Sequence, residues 1–260
     1  TRRSSDLPRS PRIRVVNRTV SGAGKLAITR AADSNTVVIA GGVSGTSAWF
    51  PLAIHADPDL LAGDHLKAIL GDAGIAVEGE VRLGEVDPHA AVLVEQQSRL
   101  TDAVDLMNTR SQNFYGEQLL RAVARAAGEP GSIAAGRTAV LAQVRALIGD
   151  PADAFTVLDG SGLSYGNRGS ADALVTLLCA ADRTWGATYR DSLKPRDVGA
   201  VLGRVKTGTL AIATCLAGYV EHPRGRRLAF AILLGRDAGG AWAAGVRDRA
   251  YAAIAAASAR

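Results

Sequence analysis

Between residues 12 and 84 the apolar positions come in short β-branched bursts, "RIRVVN", "KLAIT", "NTVVIAGG" and "IAVEGEVRLG", separated by Gly, Ser and Asn. Runs of that length and composition predict strands. One helix interrupts them: Asp57-Pro58 supplies an N-cap and a first-turn proline for "LLAGDHLKAIL", and Gly71 and Gly74 close it. From about residue 96 the apolar spacing lengthens to the helical period. Asn113 or a neighbour starts "FYGEQLLRAVARAAG", and Ser132 starts "IAAGRTAVLAQVRALIG", where Val140, Val144, Leu147 and Ile148 share one face. "FTVLDGSGLS" then predicts a short strand and a Gly-rich turn, and Ser170 caps "ADALVTLLCAADR". The last third reads as strand again: "RVKTGTLA", "CLAGYV", a turn at "EHPRG", and "RRLAFAILLG". The two runs around that turn predict a largely buried hairpin, and an Ala-rich helix from residue 240 onward is expected to pack on it. The pattern therefore divides the chain into a mixed α/β region, 1–95, and a helix-then-sheet region, 96–260.

Composition narrows the class. With 260 residues, 47% of them hydrophobic, the chain can bury a sizeable core and is not of the disordered type. A net charge of +5 suits an anionic partner such as nucleic acid, a membrane surface or a cell-wall polymer. Most of the cations are arginines spread along the chain, densest at the start and at "HPRGRR", 222–227, and no nucleic-acid motif accompanies them. Nucleic acid is therefore not expected as a partner. No apolar run reaches membrane-spanning length. Cys179 and Cys215 both sit among apolar residues and read as buried thiols, with a bridge between them left open. His55, His65, His89 and His222 lack metal-ligand spacing and read as surface or packing residues, so neither a metal nor another cofactor is expected.

Two short patterns carry chemistry: Ser111-Gln112-Asn113 just before a helix, and Lys206-Thr207-Gly208-Thr209 on a strand. A lysine on a strand flanked by apolar residues loses hydration unless an anion or a reacting group compensates it. Ser-x-Asn and Lys-Thr-Gly are two of the three elements of the active-site serine penicillin-binding proteins and β-lactamases, the third being Ser-x-x-Lys. By chance the first arises in roughly a third of such chains and the second in roughly one in forty, so context decides. The stretches "NTRSQNFYGEQLLRAVA", "LDGSGLSYGNRGSADALVTLL", "VKTGTL", "LAGYV" and "RRLAFAILL" follow in an order that resembles the class C type-4 low-molecular-mass penicillin-binding proteins, the D-alanyl-D-alanine carboxypeptidase/endopeptidase family. The segment from "RIRVVNRTV" through "GDHLKAILGDAGIAVEGEVRLG" looks like the accessory region that this family inserts into its transpeptidase domain.

The resemblance implies an α+β fold of the penicillin-binding/serine β-lactamase type, an antiparallel sheet with helices on both faces, plus a mixed accessory region. It implies a serine acyl-enzyme reaction on peptidoglycan stem peptides ending in D-Ala-D-Ala, outside the cytoplasmic membrane, with β-lactam antibiotics as acylating ligands. Lys206 would supply positive potential at the substrate's terminal carboxylate and acidify neighbouring hydroxyls. Thr207 and Thr209, two apart on a strand, would place hydroxyl donors on one face, and the Thr209 N–H would serve the oxyanion. Gly208 would let the substrate backbone lie along the strand edge. Ser111 would relay a proton to the leaving amine, and Asn113 would hold the acyl-side amide. Each has a bland rival. Ser111 and Asn113 could be N-caps, Lys206 could pair with an acidic neighbour, and Asp159–Gly162 reads first as a structural turn.

The third element is missing. The residues three before Lys25, Lys67, Lys194 and Lys206 are Gly22, Asp64, Asp191 and Gly203, so no lysine completes Ser-x-x-Lys. "SGAGK", Ser21 to Lys25, has one residue too many, which on a helix separates the two side chains by about 100° more. The chain opens on Thr1, without methionine or a signal-peptide pattern. It is expected to be the C-terminal part of a longer enzyme, completed by an N-terminal segment with Ser-x-x-Lys, and to expose a large apolar face when alone. A peptidoglycan-binding pseudoenzyme, and a β-lactamase or esterase of the same fold, are the alternatives. The stretches "YRDSLKPRDVGAVLGR" and "AIATC" depart from the family around "VKTGTL" and put substrate preference in question.

Overall fold

The computed structural model describes residues 10–45, 56–85, 87–223, 227–235 and 240–258, and divides the chain into two compact units, Thr1–Val94 and Glu95–Arg260. In the first unit, β1 (Arg14–Ser21), β2 (Ala27–Arg30) and β3 (Thr36–Val43) form a sheet in the order β1-β3-β2, and α1 spans Pro58–Asp72. The β1–β3 pair is parallel and the β2–β3 pair antiparallel. Pro58 occupies the first turn of α1 as its fixed φ allows, but Asp57 sits at φ 47 in the left-handed region and its side chain makes no cap bond. "IAVEGEVRLG" forms no strand. All of its residues except the half-buried Val81 are exposed, so its alternating apolar positions have no face to bury.

The second unit begins with α2 (Leu100–Arg110), α3 (Asn113–Ala126) and α4 (Ile133–Ile148), followed by a 3₁₀ turn, Asp150–Ala154. Ser132 caps α4 by accepting a hydrogen bond from the Ala135 N–H, and Ser170 caps α5 (Ala171–Asp191) by accepting from Ala173. The four α4 residues expected on one face are all half-buried. α5 runs past the expected "AADR" to Asp191 because Gly186, at φ 53, bends it instead of ending it. Next come β4 (Lys194–Pro195), β5 (Leu202–Leu210), β6 (Ala213–Glu221), β7 (Arg227–Leu234) and α6 (Gly240–Ser258).

These four strands form an antiparallel sheet in the order β4-β5-β6-β7, covered on both faces. On one face Val205, Leu216, Val220, Phe230 and Ile232 pack with Tyr251 and Ala255 of α6. On the other, Tyr219, Ala217 and Ala229 pack with Leu174, Leu178 and Tyr189 of α5 and with Leu193. Tyr219 donates its hydroxyl to the Leu178 carbonyl at 2.7 Å, so its polar end is satisfied inside that layer. Asp182 of α5 accepts from Arg190 and from Arg227 of β7, pinning the helix to the sheet. Both cysteines are free and half-buried. The "EHPRG" turn lies partly outside the described residues, as does His55.

Candidate active site

Lys206 lies on β5 opposite Ala217 of β6, which places it on the sheet face that α5 covers. It is half-buried, and its Nζ donates to Ser111 Oγ at 2.6 Å and to the Thr207 carbonyl at 2.7 Å. Burial pushes the lysine below its ordinary pKa, because dehydration penalises the charged form. No carboxylate pairs with it among the described residues, which answers the question a strand lysine raises: a serine and a carbonyl compensate it. An ammonium can only donate, so the direction of the bond is fixed. Ser111 accepts from Lys206 and keeps its own O–H for another acceptor. Two of the three ammonium N–H groups are used, and one remains for an incoming anion.

Ser111 reaches this place through an unusual backbone. It is the residue that ends α2, in the left-handed region at φ 52, and α3 starts two residues later at Asn113. A single left-handed residue costs a non-glycine side chain about 1 kcal/mol. Neither Ser111 nor Asn113 is an N-cap: that position belongs to Gln112, without a side-chain bond. Asn113 is exposed in the first turn of α3.

The other strand residues divide by the pleat. Thr207 and Thr209 share a face with Val205, the α6 side, whereas Gly208 shares the face of Lys206. A Cβ on Gly208 would meet only Cys215 Cβ at 3.7 Å, an ordinary contact, and the backbone there is not left-handed. The protein's own packing therefore does not require glycine at 208. β4 pairs with β5 only at Val205 and Arg204, so from Lys206 to Leu210 that edge of β5 has no strand beside it among the described residues. Beyond Leu210 lies a cleft of about 790 Å³, bordered by Tyr165, Arg168, Ile212 and Cys215.

The "DGSG" loop borders the cleft and packs on α3. The Asp159 carboxylate accepts from the N–H groups of Gly162 and Ser164 and from Asn167 Nδ2, while Asn167 Oδ1 takes the Leu158 N–H. Partial burial pushes this carboxyl up, but those hydrogen bonds outweigh it and hold it below its ordinary pKa. "FTVLD" is not a strand, its only ladder remnant being a Thr156–Arg168 bridge, because Asn167 takes the Leu158 N–H and Arg137 donates to the Val157 carbonyl. The loop is seated on α3, where a Cβ on Gly116 would lie 2.5 Å from the Gly160 carbonyl oxygen, and Ser161 N–H donates to Glu117. What sequence reasoning missed is the buried hydrogen bond from Asn108 of α2 to Ser192, 84 residues away, for which no local spacing gives a signal.

The D-Ala-D-Ala carboxypeptidase 3 (S13) family matches residues 9–252. The chain belongs to this family. This S13 chain is 31% identical over 244 residues to the D-alanyl-D-alanine carboxypeptidase of Actinomadura sp. (strain R39), covering 84% of itself and 45% of that protein. It is also 31% identical over 197 residues to carboxypeptidase DacB of Mycolicibacterium smegmatis, covering 68% of itself and 42% of that protein. The S13 chain thus spans less than half the length of these curated relatives. Its fold is similar to that of penicillin binding protein 4 from Haemophilus influenzae, solved with a β-lactam: the TM-score is 0.64 at 22% identity, over 88% of this chain and 58% of that one. A Bdellovibrio bacteriovorus predatory endopeptidase, solved in complex with an immunity protein, gives a TM-score of 0.51 at 17% identity, over 78% and 57%. An α+β transpeptidase-type fold is therefore the architecture of this S13 chain.

Proposed function

We propose that this chain forms the Lys-Thr-Gly and Ser-x-Asn side of the active site of a serine D-Ala-D-Ala carboxypeptidase/endopeptidase that trims peptidoglycan stem peptides and is acylated by β-lactams. The observation that carries the reading is the 2.6 Å Lys206–Ser111 hydrogen bond, joining the two motifs across 95 residues. In this reading the free N–H of Lys206 meets the terminal carboxylate of the substrate, and Ser111, polarised by the ammonium, passes a proton to the leaving amine. Asn113 holds the acyl-side amide. The open edge of β5 accepts the peptide as an added strand along Gly208, with the Thr209 N–H at the oxyanion, while Thr207 and Thr209 turn their side chains to the sheet face opposite Lys206. The cleft past Leu210 offers room for stem-peptide side chains.

The nucleophile is assigned to a segment carrying Ser-x-x-Lys, because none of the four lysines completes that motif. Residues up to about 95 serve as the accessory region, and the protein works outside the cytoplasmic membrane, where its substrate is. Among the described residues no helix is long and apolar enough to cross a membrane. The same sequence fact favours one second reading, a peptidoglycan-binding protein without catalysis.

Denaturing intact mass, with and without excess benzylpenicillin, tests the proposal. The expected result is one drug adduct on the polypeptide that bears Ser-x-x-Lys. An adduct within these 260 residues would overturn the assignment of the nucleophile, and no adduct on any chain would favour the non-catalytic reading.

A further inference from the structure

We infer that the buried Asn108–Ser192 hydrogen bond is a positioning device that holds Ser111 against Lys206, an inference resting on the active-site reading above. Asn108 is the one buried residue of α2, with 8% of its surface exposed, and Ser192 has 3%. Asn108 Nδ2 donates to Ser192 Oγ at 2.9 Å, and Ser192 Oγ donates onward to the Tyr189 carbonyl at 2.7 Å. The apolar residues Val104, Leu106 and Met107 of α2 are only half-buried, so the directional bond of Asn108 adds to the packing that locates the helix.

Both ends of the Lys206–Ser111 contact are suspended from this link. Asn108 stands three residues before Ser111, less than one helical turn, so a rotation or slide of α2 moves the serine with it. Ser192 leads through Leu193, 2% exposed, into Lys194, which pairs with Val205, the neighbour of Lys206. α2 meets the sheet at β4, where the latch acts. Ser111 itself is held at φ 52, and a residue in a disfavoured conformation stays there only when its flanks are fixed. α3 fixes one flank, and the Asn108–Ser192 bond fixes the other.

The test is the rate of benzylpenicillin acylation of the purified protein, with the thermal midpoint of each variant measured alongside. Asn108→Ala and Ser192→Ala are each expected to slow acylation about ten- to a hundredfold at temperatures well below their midpoints, the scale of a misplacement near 1 Å. Because the two share one bond, the double variant should be no slower than the slower single, and Ser192→Thr, which keeps the oxygen, should restore most of the rate. Wild-type rates in both single variants, or a double variant whose loss is the product of the singles, would overturn the inference. Ser192→Ala removes one atom and keeps the test open where Asn108→Ala does not fold.

A wild-type protein that gains no drug mass would instead sink the active-site reading. The latch is then decided without chemistry. This chain contributes four lysines, and the ¹³Cε resonance of Lys206, identified by its loss in Lys206→Met, should shift in Ser192→Ala and return in Ser192→Thr. An unmoved Lys206 signal would overturn the latch.

Discussion

Lys206 carries its charge into a half-buried position, and dehydrating that charge costs stability. Its pKa in the folded state lies below that in the unfolded state, so at pH below both values both states are protonated and the folded one bears the dehydration penalty. Stability contributed by this residue rises as pH climbs through the lowered folded pKa toward the unfolded value. Lys206→Met should therefore raise the thermal midpoint at neutral pH and flatten that alkaline rise, while abolishing acylation by β-lactams. A midpoint lowered by the substitution would mean that the bonds to Ser111 and Thr207 outweigh burial. In the wild type, acylation should fall on the alkaline side at a pH below the ordinary lysine range, since the neutral amine no longer attracts a carboxylate. Gly208 poses the complementary case. A methyl group there meets only Cys215 Cβ at 3.7 Å, so Gly208→Ala should change stability by less than about 0.5 kcal/mol. Acylation should nonetheless drop by about tenfold or more, because the methyl would stand beside the open edge that the proposed function gives to the substrate backbone. Equal losses of stability and rate would show that the glycine serves the fold.

At the scale of elements, the site depends on how α3 and the Asp159 loop are joined. Gly116 and Gly160 approach so closely that a Cβ on either would lie 2.5 Å or 2.1 Å from the other's carbonyl oxygen, backbone against backbone. Nothing flexible can yield there. Gly116→Ala should destabilise the protein by about 1–3 kcal/mol in a denaturant titration, and should slow acylation as well, since α3 begins two residues after Ser111. An alanine variant as stable as the wild type would refute the contact. This junction also marks what the sequence could reveal. Capping serines and helical periods placed α4 and α5 at their observed starts, because Ser132 and Ser170 act on N–H groups three residues away. The strands around "VKTGTL" were equally legible, since alternating burial is written locally in β5 and β6. "IAVEGEVRLG" failed for want of a partner, and "FTVLD" because Asn167 took its Leu158 N–H and Arg137 its Val157 carbonyl, a competition that strand propensity does not register. Ser111 and Lys206 could be singled out by their motifs. That Ser111 ends a helix instead of capping the next, and that Asn108 holds it through Ser192, depends on contacts 84 and 95 residues apart.

For the whole molecule, the chain falls into units meeting at Val94 and Glu95, and the stretch around that boundary has a distinctive exposure. From Asp87 to Arg99 no residue is in a helix or strand, and all are exposed, Val92, Leu93 and Val94 to 81%, 91% and 85% of their surface. Exposed backbone without ladder or helix bonds is what a protease needs to seat a substrate strand. By contrast, the core of the second unit is sealed on both faces of its sheet by α5 and α6, and opening it requires much of that unit to unfold. Dilute elastase, which cuts after small aliphatic residues, should therefore cleave first between Ala90 and Glu95. The product expected by mass is a persistent fragment that begins near Glu95 and retains the helix and sheet signal of the second unit. The apolar Val92–Val94 run makes the alternative equally readable: if a partner segment or a second copy covers it in solution, the first cut moves elsewhere. Cleavage starting inside α2 to β6 would contradict the division into units, because it would place the weakest point of the molecule within the part that carries Ser111 and Lys206.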